Sequence, residues 1–366
     1  MNYELFKNGV INLTNFWNEL PKPFFTLAPM EAVTDVVFRH VILTAAKPDV
    51  LFTEFVNSSS FCSEKGVFST RGRLTFDADE QPIVAQIWGN KPDEFAIMCP
   101  RLAEMGFAGI DINMGCPDKA VVKNGSGSAL IKTPEIAGKL IMAAKTSGIP
   151  ISVKTRLSDV DINKWRQWIE FLLRQDIVNL TIHLRTRSEM SKVDAHFELI
   201  PEIMKLRDEI APRTLITING DIRDHQHGME LFDKYKVDGI MIGRGIFSNP
   251  FAFEIEGREH TRSELVQLLN LHLDLYDKYS LQGAKQTLQG DTLQGVNSDK
   301  KALQGDTLQK LQKENHHSKN KFNPLKRFFK IYIHNFPGAS DLRDKLMHTT
   351  STIEVRDIIN NKKITK

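Results

Sequence analysis

The 366-residue sequence lacks most of the features that would fix a function outright. It has three cysteines, Cys62, Cys99 and Cys116. Odd in number and widely spaced, they supply no disulfide framework and no paired metal-ligand spacing, which suits a reducing compartment. No stretch is long and apolar enough to span a bilayer, and no basic segment leads into an apolar run near the N-terminus. A cytoplasmic protein away from membranes is therefore expected. The histidine pairs 225/227 and 316/317 have no acidic or cysteine partners at ligand spacing, so no metal is expected. Net charge is only +3, too little to announce a nucleic-acid partner by itself. The Gly-x-Gly pairs at 125/127 and 243/245 lack the third glycine of a dinucleotide fingerprint.

What the chain does have is a rhythm. Short apolar, β-rich runs fall at Phe24–Ala28, Val50–Phe55, Ile83–Ile87, Ala108–Ile112, Ile149–Val153, Val178–His183, Leu215–Ile218 and Gly239–Ile242. Helix-like amphipathic segments fill most intervals: Thr34–Ala46, Asp93–Met105, Pro134–Ser147, Ile162–Arg174, Glu198–Glu209 and His225–Tyr235. Eight β/α units of roughly thirty residues predict an α/β fold of the TIM (β/α)8 barrel type. Near-continuous apolar strands fit, because parallel strands are buried on both faces; a doubly wound open sheet is the alternative. Thr34 and Asp35 can cap the first helix, and Pro134 suits a first helical position.

The expected domains are a lead-in over 1–22, a barrel over 23–255 and a smaller helical domain over 256–366. In the last, Thr261–Tyr279 carries Leu265, Leu268, Leu269 and His272 on one stripe, and helices are expected over Pro324–Asn335, Ser340–His348 and Ile353–Asn360, with Ser340 as a cap. Between them Leu-Gln-Gly recurs at 281, 288, 293 and 303, and the polar, glycine-studded stretch 281–319 is read as a flexible insertion. The end of the chain from Lys313 is basic, a face that either contacts phosphates or is simply solvated.

A barrel brings its strand ends to one mouth. Here that mouth would gather Gln86, Asn113, Cys116, Lys154, Arg156, His183, Arg185 and Arg187, with Asn219-Gly220-Asp221 and Gly243-Arg244-Gly245 on the last two loops. Those loops are where barrels bind phosphate, since glycine lets main-chain N–H groups approach an anion. Gln86 and Asn113 can meet ring heteroatoms, and Lys154 can sit where negative charge gathers on a reduced ring. FMN suits both halves. Cys116, in a loop between glycine and proline, is favoured for chemistry; Cys62 and Cys99 are read as buried small hydrophobes. Phe55 and Trp88 either stack on a base or pack.

The motifs Leu27-Ala28-Pro29-Met30-Glu31-Ala32-Val33-Thr34-Asp35 and Ile112-Asn113-Met114-Gly115-Cys116-Pro117 resemble those of the tRNA-dihydrouridine synthase family. So do Ser152-Val153-Lys154-Thr155-Arg156, Ile182-His183-Leu184-Arg185-Thr186-Arg187, Asn219-Gly220-Asp221-Ile222 and Ile242-Gly243-Arg244-Gly245, in the family's order. Phe336-Pro337-Gly338-Ala339-Ser340-Asp341-Leu342-Arg343 is similar to its C-terminal domain. The resemblance covers residues 24–255 and 322–348, with Leu184 standing where glycine is common.

The resemblance implies an FMN enzyme, reduced by NADPH or NADH, that converts uridine in tRNA to 5,6-dihydrouridine. Hydride would reach uracil C6, and Cys116 would protonate C5 as general acid. Gln86, Lys154, His183, Asn219, Gly220, Asp221, Gly243 and Arg244 match FMN contacts, with Pro29, Met30 and Glu31 beside the ring. A flavin at a barrel mouth reaches only an unstacked base. Asn113, Arg156, Arg185 and Arg187 are then candidates for substrate contact, and a monomer is expected. A flavin barrel acting on a small pyrimidine or enone would not require the basic helical tail. A non-enzymatic RNA-binding scaffold would not require the full set of Cys116, Lys154, His183 and Arg244.

Overall fold

A computed structural model describes residues 15–293 and 319–360, with side chains over 15–280 and 322–360. The chain divides into two compact units. One runs to Val36 and resumes at Pro48–Arg244; the other comprises Val37–Lys47 and the chain from Gly245 onward.

The first unit is a parallel barrel. Its staves are β1 (Phe24–Leu27), β2 (Leu51–Phe52, resumed at Val56–Asn57), β3 (Ile83–Trp88), β4 (Gly109–Met114), β5 (Ile151–Arg156), β6 (Asn179–His183), β7 (Leu215–Asn219) and β8 (Gly239–Ile242). Each pairs in parallel with its chain neighbour from β2 to β8, and β8 pairs with β1. A parallel bridge between Thr26 and Val50, with Leu27 N–H on Val50 O, joins β1 to β2 and closes the ring. This is the (β/α)8 fold read from the rhythm of the sequence. Helices such as Pro92–Glu104, Pro134–Lys145, Trp165–Leu173, Ile200–Ile210 and His225–Tyr235 lie between successive strands, each within a few residues of its expected span.

One end of the barrel is plugged. The stretch read as a lead-in forms a 3-10 turn over Phe16–Glu19 that buries Trp17 against Phe24 and Phe52, among Val50, Val84 and Leu215 at strand starts. Truncating such an indole costs roughly 3–5 kcal/mol. With the strand starts covered in this way, the carboxyl ends are left for chemistry.

Three local expectations are corrected. The run Val50–Phe55 is not one strand: Thr53 N–H still reaches Val84 O at 3.0 Å, but Glu54 and Phe55 leave the ladder, and Thr53 Oγ1 accepts Gln86 N–H at 3.0 Å. Ser340 does not cap its helix; Gly338, at φ 81°, occupies that position ahead of Ala339–Met347. Cys62 is exposed, its thiol 3.6 Å from Glu94 O, whereas Cys99 is buried as expected.

The second unit is helical: Arg262–Leu293, Lys319–Lys326, Phe329–Tyr332, Ala339–Met347 and Thr352–Asn360, together with most of the helix Val36–Ala45. The expected helix over Pro324–Asn335 is thus broken into two pieces. Thr261 and Glu264 cap the long helix reciprocally, each side chain on the other's backbone N–H. His272 is buried on Tyr332, Nδ1 to hydroxyl 2.7 Å, between Phe38 and Phe328. Desolvation takes its pKa down to about 3, so it is neutral and structural. The long helix continues past Tyr279 to Leu293, because Gln, Leu, Ala and Lys favour helix between the glycines. The rest of the stretch read as an insertion, 294–318, lies outside the described residues. Among the described residues no helix is long and apolar enough to cross a membrane.

Candidate active site

Strand register assembles the mouth in layers. Gln86 pairs with Asp111, and Asp111 with Ser152, across β3, β4 and β5. One layer higher, Asn113 pairs with Lys154. Arg156 pairs with His183, and His183 with Asn219, across β5, β6 and β7. Residues two apart share a face, so these groups rise in columns on one side of the wall.

The lower layers form a continuous polar network. Ser152 Oγ donates to Asp111 Oδ1 at 2.7 Å, and Gln86 Nε2 donates to Asp111 Oδ2 at 2.7 Å. Asn113 Nδ2 donates to Gln86 Oε1 at 3.0 Å, while Asn113 Oδ1 accepts the N–H groups of Gly115 and Cys116 at 3.1 and 2.9 Å. Burial pushes Asp111 up to about 6, against the donors from Ser152 and Gln86.

Lys154 Nζ donates to Asn219 Oδ1 at 3.1 Å, and Asn219 Nδ2 to Met241 O at 2.9 Å. Desolvation, then the Arg156 charge, lowers Lys154 to about 8. His183 is held well below its ordinary value by burial and by the cations at 156, 154, 185 and 244, so its imidazole is neutral. Its Nδ1 is buried without a partner, as is Arg185 Nη1.

Arg156 and Arg185 lie within the wall of the mouth. Arg156 is 7% exposed and donates to the carbonyls of Gly115, Thr186 and Met190, fastening the Cys116 loop to the loop after β6. Arg185, 2% exposed, donates to Val193 O and pairs with Asp221. Arg187, partly exposed, pairs with Asp159. Leu184 is fully buried, its N–H on Asn219 O at 2.9 Å.

Asp221, at φ 53°, also accepts Ala195 N–H at 3.0 Å and pairs with Arg244 at 3.1 Å. Gly220 has φ 119°, and a side chain there would come within 4 Å of His183 Cε1 and Arg185 Nη1. At Gly243 it would reach Ala28 Cβ at 3.5 Å. Gly243 is half-buried and leaves main-chain surface open at the mouth, whereas Gly220 is buried against its neighbours.

Cys116 stands on the loop leaving β4, partly exposed. Its carbonyl accepts Ser128 N–H and Oγ–H at 3.1 and 2.8 Å. Burial raises the thiol above its ordinary range. The Asp118 N–H works against this, the Asp118 charge adds to it, and Lys154 and Arg156 oppose it, so the thiol is protonated at neutral pH.

A pocket of about 580 Å3 opens beside Cys116 and Asp118, lined also by Phe55, Trp88, Glu31 and Arg73. Arg73, the one cation among its lining residues, pairs with Glu31. The sequence reading missed Arg73, which lies in a stretch without periodicity or motif. On the loop after β1, Thr34 Oγ1 accepts Met30 N–H at 2.9 Å, and Glu54 accepts Ala32 N–H at 2.6 Å.

Fold and mouth together define a class: a (β/α)8-barrel enzyme with a protein thiol, a cationic amine and a neutral imidazole at the carboxyl ends of its strands. The profile of the family described as Dihydrouridine synthase (Dus) matches residues 26–366. Over 347 residues, 95% of this chain and 96% of the other, it is 56% identical to "Probable tRNA-dihydrouridine synthase 2" of Bacillus subtilis (strain 168). It is 54% identical to "Probable tRNA-dihydrouridine synthase" of Staphylococcus epidermidis and of Staphylococcus aureus (strain COL), each over 94% of this chain and 95% of the relative. The chain belongs to the dihydrouridine synthase family.

Proposed function

We propose that this protein reduces uridine in tRNA to 5,6-dihydrouridine, with Cys116 as the acid that protonates uracil C5. The observation that carries the reading is the thiol itself. Protonated at neutral pH, it stands on a loop braced by Asn113, Arg156 and Ser128 and opens onto a pocket that also holds Trp88, Phe55 and Arg73.

The mouth fits FMN. Two buried nitrogens without partners, His183 Nδ1 and Arg185 Nη1, need a hydrogen-bonding neighbour there. A side chain at Gly220 would crowd Ala195, beside His183 and Arg185, and Gly243 leaves main chain accessible at the mouth. Lys154, Gln86 and Asn219 would hold the ring, Pro29, Met30 and Glu31 would flank it, and Arg244, Asp221 and the two glycines would hold the phosphate end. Bound there, FMN supplies hydride for uracil C6, having itself been reduced by NADPH or NADH.

The chain's own residues do the rest. Lys154, charged at pH 7, stabilises negative charge gathering at the mouth. Cys116 Sγ–H transfers its proton to C5 as the C5–C6 double bond is lost, and solvent reprotonates the thiolate. Trp88 and Phe55 offer faces to an extruded base, and Arg73 offers a donor to its phosphate. Arg156 and Arg185, buried in the wall, are assigned to bracing the loops; Asn113 and Arg187 are kept as substrate contacts.

The barrel is the catalytic domain, and the helical unit grips tRNA through its basic face. The protein is read as a monomer that uses no metal and works in the cytoplasm, where a free thiol persists. The purified protein should be yellow and should form dihydrouridine on unmodified tRNA with NADPH. It should also bind tRNA with an affinity that falls steeply with salt. A colourless protein that gains no flavin absorbance with added FMN, or turnover of free uracil derivatives without tRNA, would overturn the reading.

A further inference from the structure

The network beneath Cys116 has a direction, and the direction identifies a residue with no contact to the reacting groups. Main-chain N–H groups can only donate, so the Asn113 atom receiving those of Gly115 and Cys116 is its oxygen. The other arm of that amide is therefore NH2 and donates to Gln86, which fixes the receiving atom as Oε1. Gln86 is left with its own NH2 toward β4, where it must find an acceptor. Asp111 Oδ2 accepts it, and Asp111 Oδ1 accepts Ser152 Oγ–H.

We propose that Asp111 is the positioning residue for Cys116: as an acceptor at both oxygens, it anchors the far end of a hydrogen-bond chain that runs through Gln86 and Asn113 to the thiol's own backbone. Without it, the buried Gln86 NH2 loses its acceptor, and only the single bond from Asn113 still holds that amide in its orientation. In the reverse orientation its NH2 faces the NH2 of Asn113, and Asn113 can no longer both meet Gln86 and hold the Cys116 N–H. The register of β3, β4 and β5 places Gln86, Asp111 and Ser152 side by side, so Asp111 stands as the acceptor between its two donors. The charged groups acting on Asp111 and Cys116 are Lys154 on the first and Asp118, Lys154 and Arg156 on the second. None of these replaces Asp111, because none lies in the chain.

The proposal deepens the reading of Cys116 as the acid, and its test is kept separate from turnover. In a Cys62→Ser background, which removes the exposed thiol, the full-length protein as purified is alkylated with iodoacetamide across pH. The parent should show a midpoint above the ordinary thiol range. Asp111→Ala should release the loop, solvate the thiol and lower the midpoint, raising the rate at pH 8 by about threefold to tenfold, since one pKa unit changes the thiolate fraction about tenfold. Asp111→Asn should restore most of the parent profile, because its amide can turn C=O to Gln86 and NH2 to Ser152. Gln86→Leu, which breaks the chain one link on, should behave like Asp111→Ala and carries the same test if that variant does not fold.

An unchanged profile in a folded Asp111→Ala or Gln86→Leu protein would overturn the proposal, as would Asp111→Asn behaving like alanine. Dihydrouridine formation by Cys116→Ala is measured alongside. If it persists while the Asp111 profiles shift, the acid reading falls and the positioning role stands.

Discussion

Gly127 backs directly onto Cys116. A methyl group at Gly127 would stand 2.9 Å from Cys116 O, 3.3 Å from Cys116 Cβ and 2.7 Å from Val121 Cγ1, and its φ of 59° is one that side-chain-bearing residues rarely adopt. Gly127→Ala combines backbone strain with a contact that only movement of the thiol loop can relieve. The strain alone is about 1–3 kcal/mol. Loss of dihydrouridine formation should therefore exceed what the fall in melting temperature explains. Paired thermal melts and tRNA assays check this, and parent-level turnover would show that the loop adapts freely.

Cys116 itself predicts a separation of half-reactions. Cys116→Ala should keep bound flavin and its reduction by NADPH, yet lose about 100-fold or more in dihydrouridine formation, the usual scale for a positioned acid. As the proposed acid the thiol would act in its protonated form, and burial raises its pKa. The thiol-dependent limb of kcat/KM should accordingly be flat through neutral pH and fall only on the alkaline side, above the ordinary thiol range. A fall beginning near pH 7 would assign that limb to another group.

Much of this site could be read from the sequence because its residues sit at strand ends, where a two-residue period and a parallel fold determine which side chains share a face. Gln86, Asn113, Lys154, His183 and Asn219 follow from that rule. What the period does not report is how far up the wall a side chain turns. Arg156 and Arg185 alternate correctly, but carbonyls of neighbouring loops and Asp221 draw them inward. The break in β2 escaped because Val50–Phe55 is apolar enough for a strand, while Glu54 leaves the ladder to hold the loop after β1. The helix Val36–Ala45 was legible as a helix. Its grouping with the second unit was not, since an amphipathic stripe does not name its partner.

Arg73 gives a prediction about the RNA rather than the chemistry. As the cation lining the pocket beside Cys116, and tied to Glu31 by an ion pair, it is placed to meet a nucleotide phosphate. Arg73→Ala should raise KM for tRNA about threefold to tenfold, leave flavin content unchanged and reduce the slope of log affinity against log salt by about 1. Glu31→Gln, which frees the guanidinium, should move the salt slope the other way. An unaltered slope in Arg73→Ala would remove this residue from the RNA contact.

Glu54 links the mouth to pH. Its carboxyl is nearly buried, accepts Ala32 N–H at 2.6 Å and is raised from 4.5 to about 7. Desolvation is the main cause; Asp35 and Glu31 add to it, and the Ala32 N–H and Arg73 oppose it. Below pH 4.5 the group is protonated in both the folded and unfolded chains. Between 4.5 and 7 the folded chain binds more protons, so stability falls as pH rises; above 7 the deficit levels off at up to about 3 kcal/mol. Glu54→Gln keeps an acceptor for Ala32 but carries no charge to bury. Its melting temperature should match the parent's near pH 4.5, exceed it increasingly toward pH 7 and hold a constant advantage above that. A difference independent of pH would mean that Glu54 ionises in the folded protein as it does in the unfolded chain, and that the loop after β1 is held without regard to its charge.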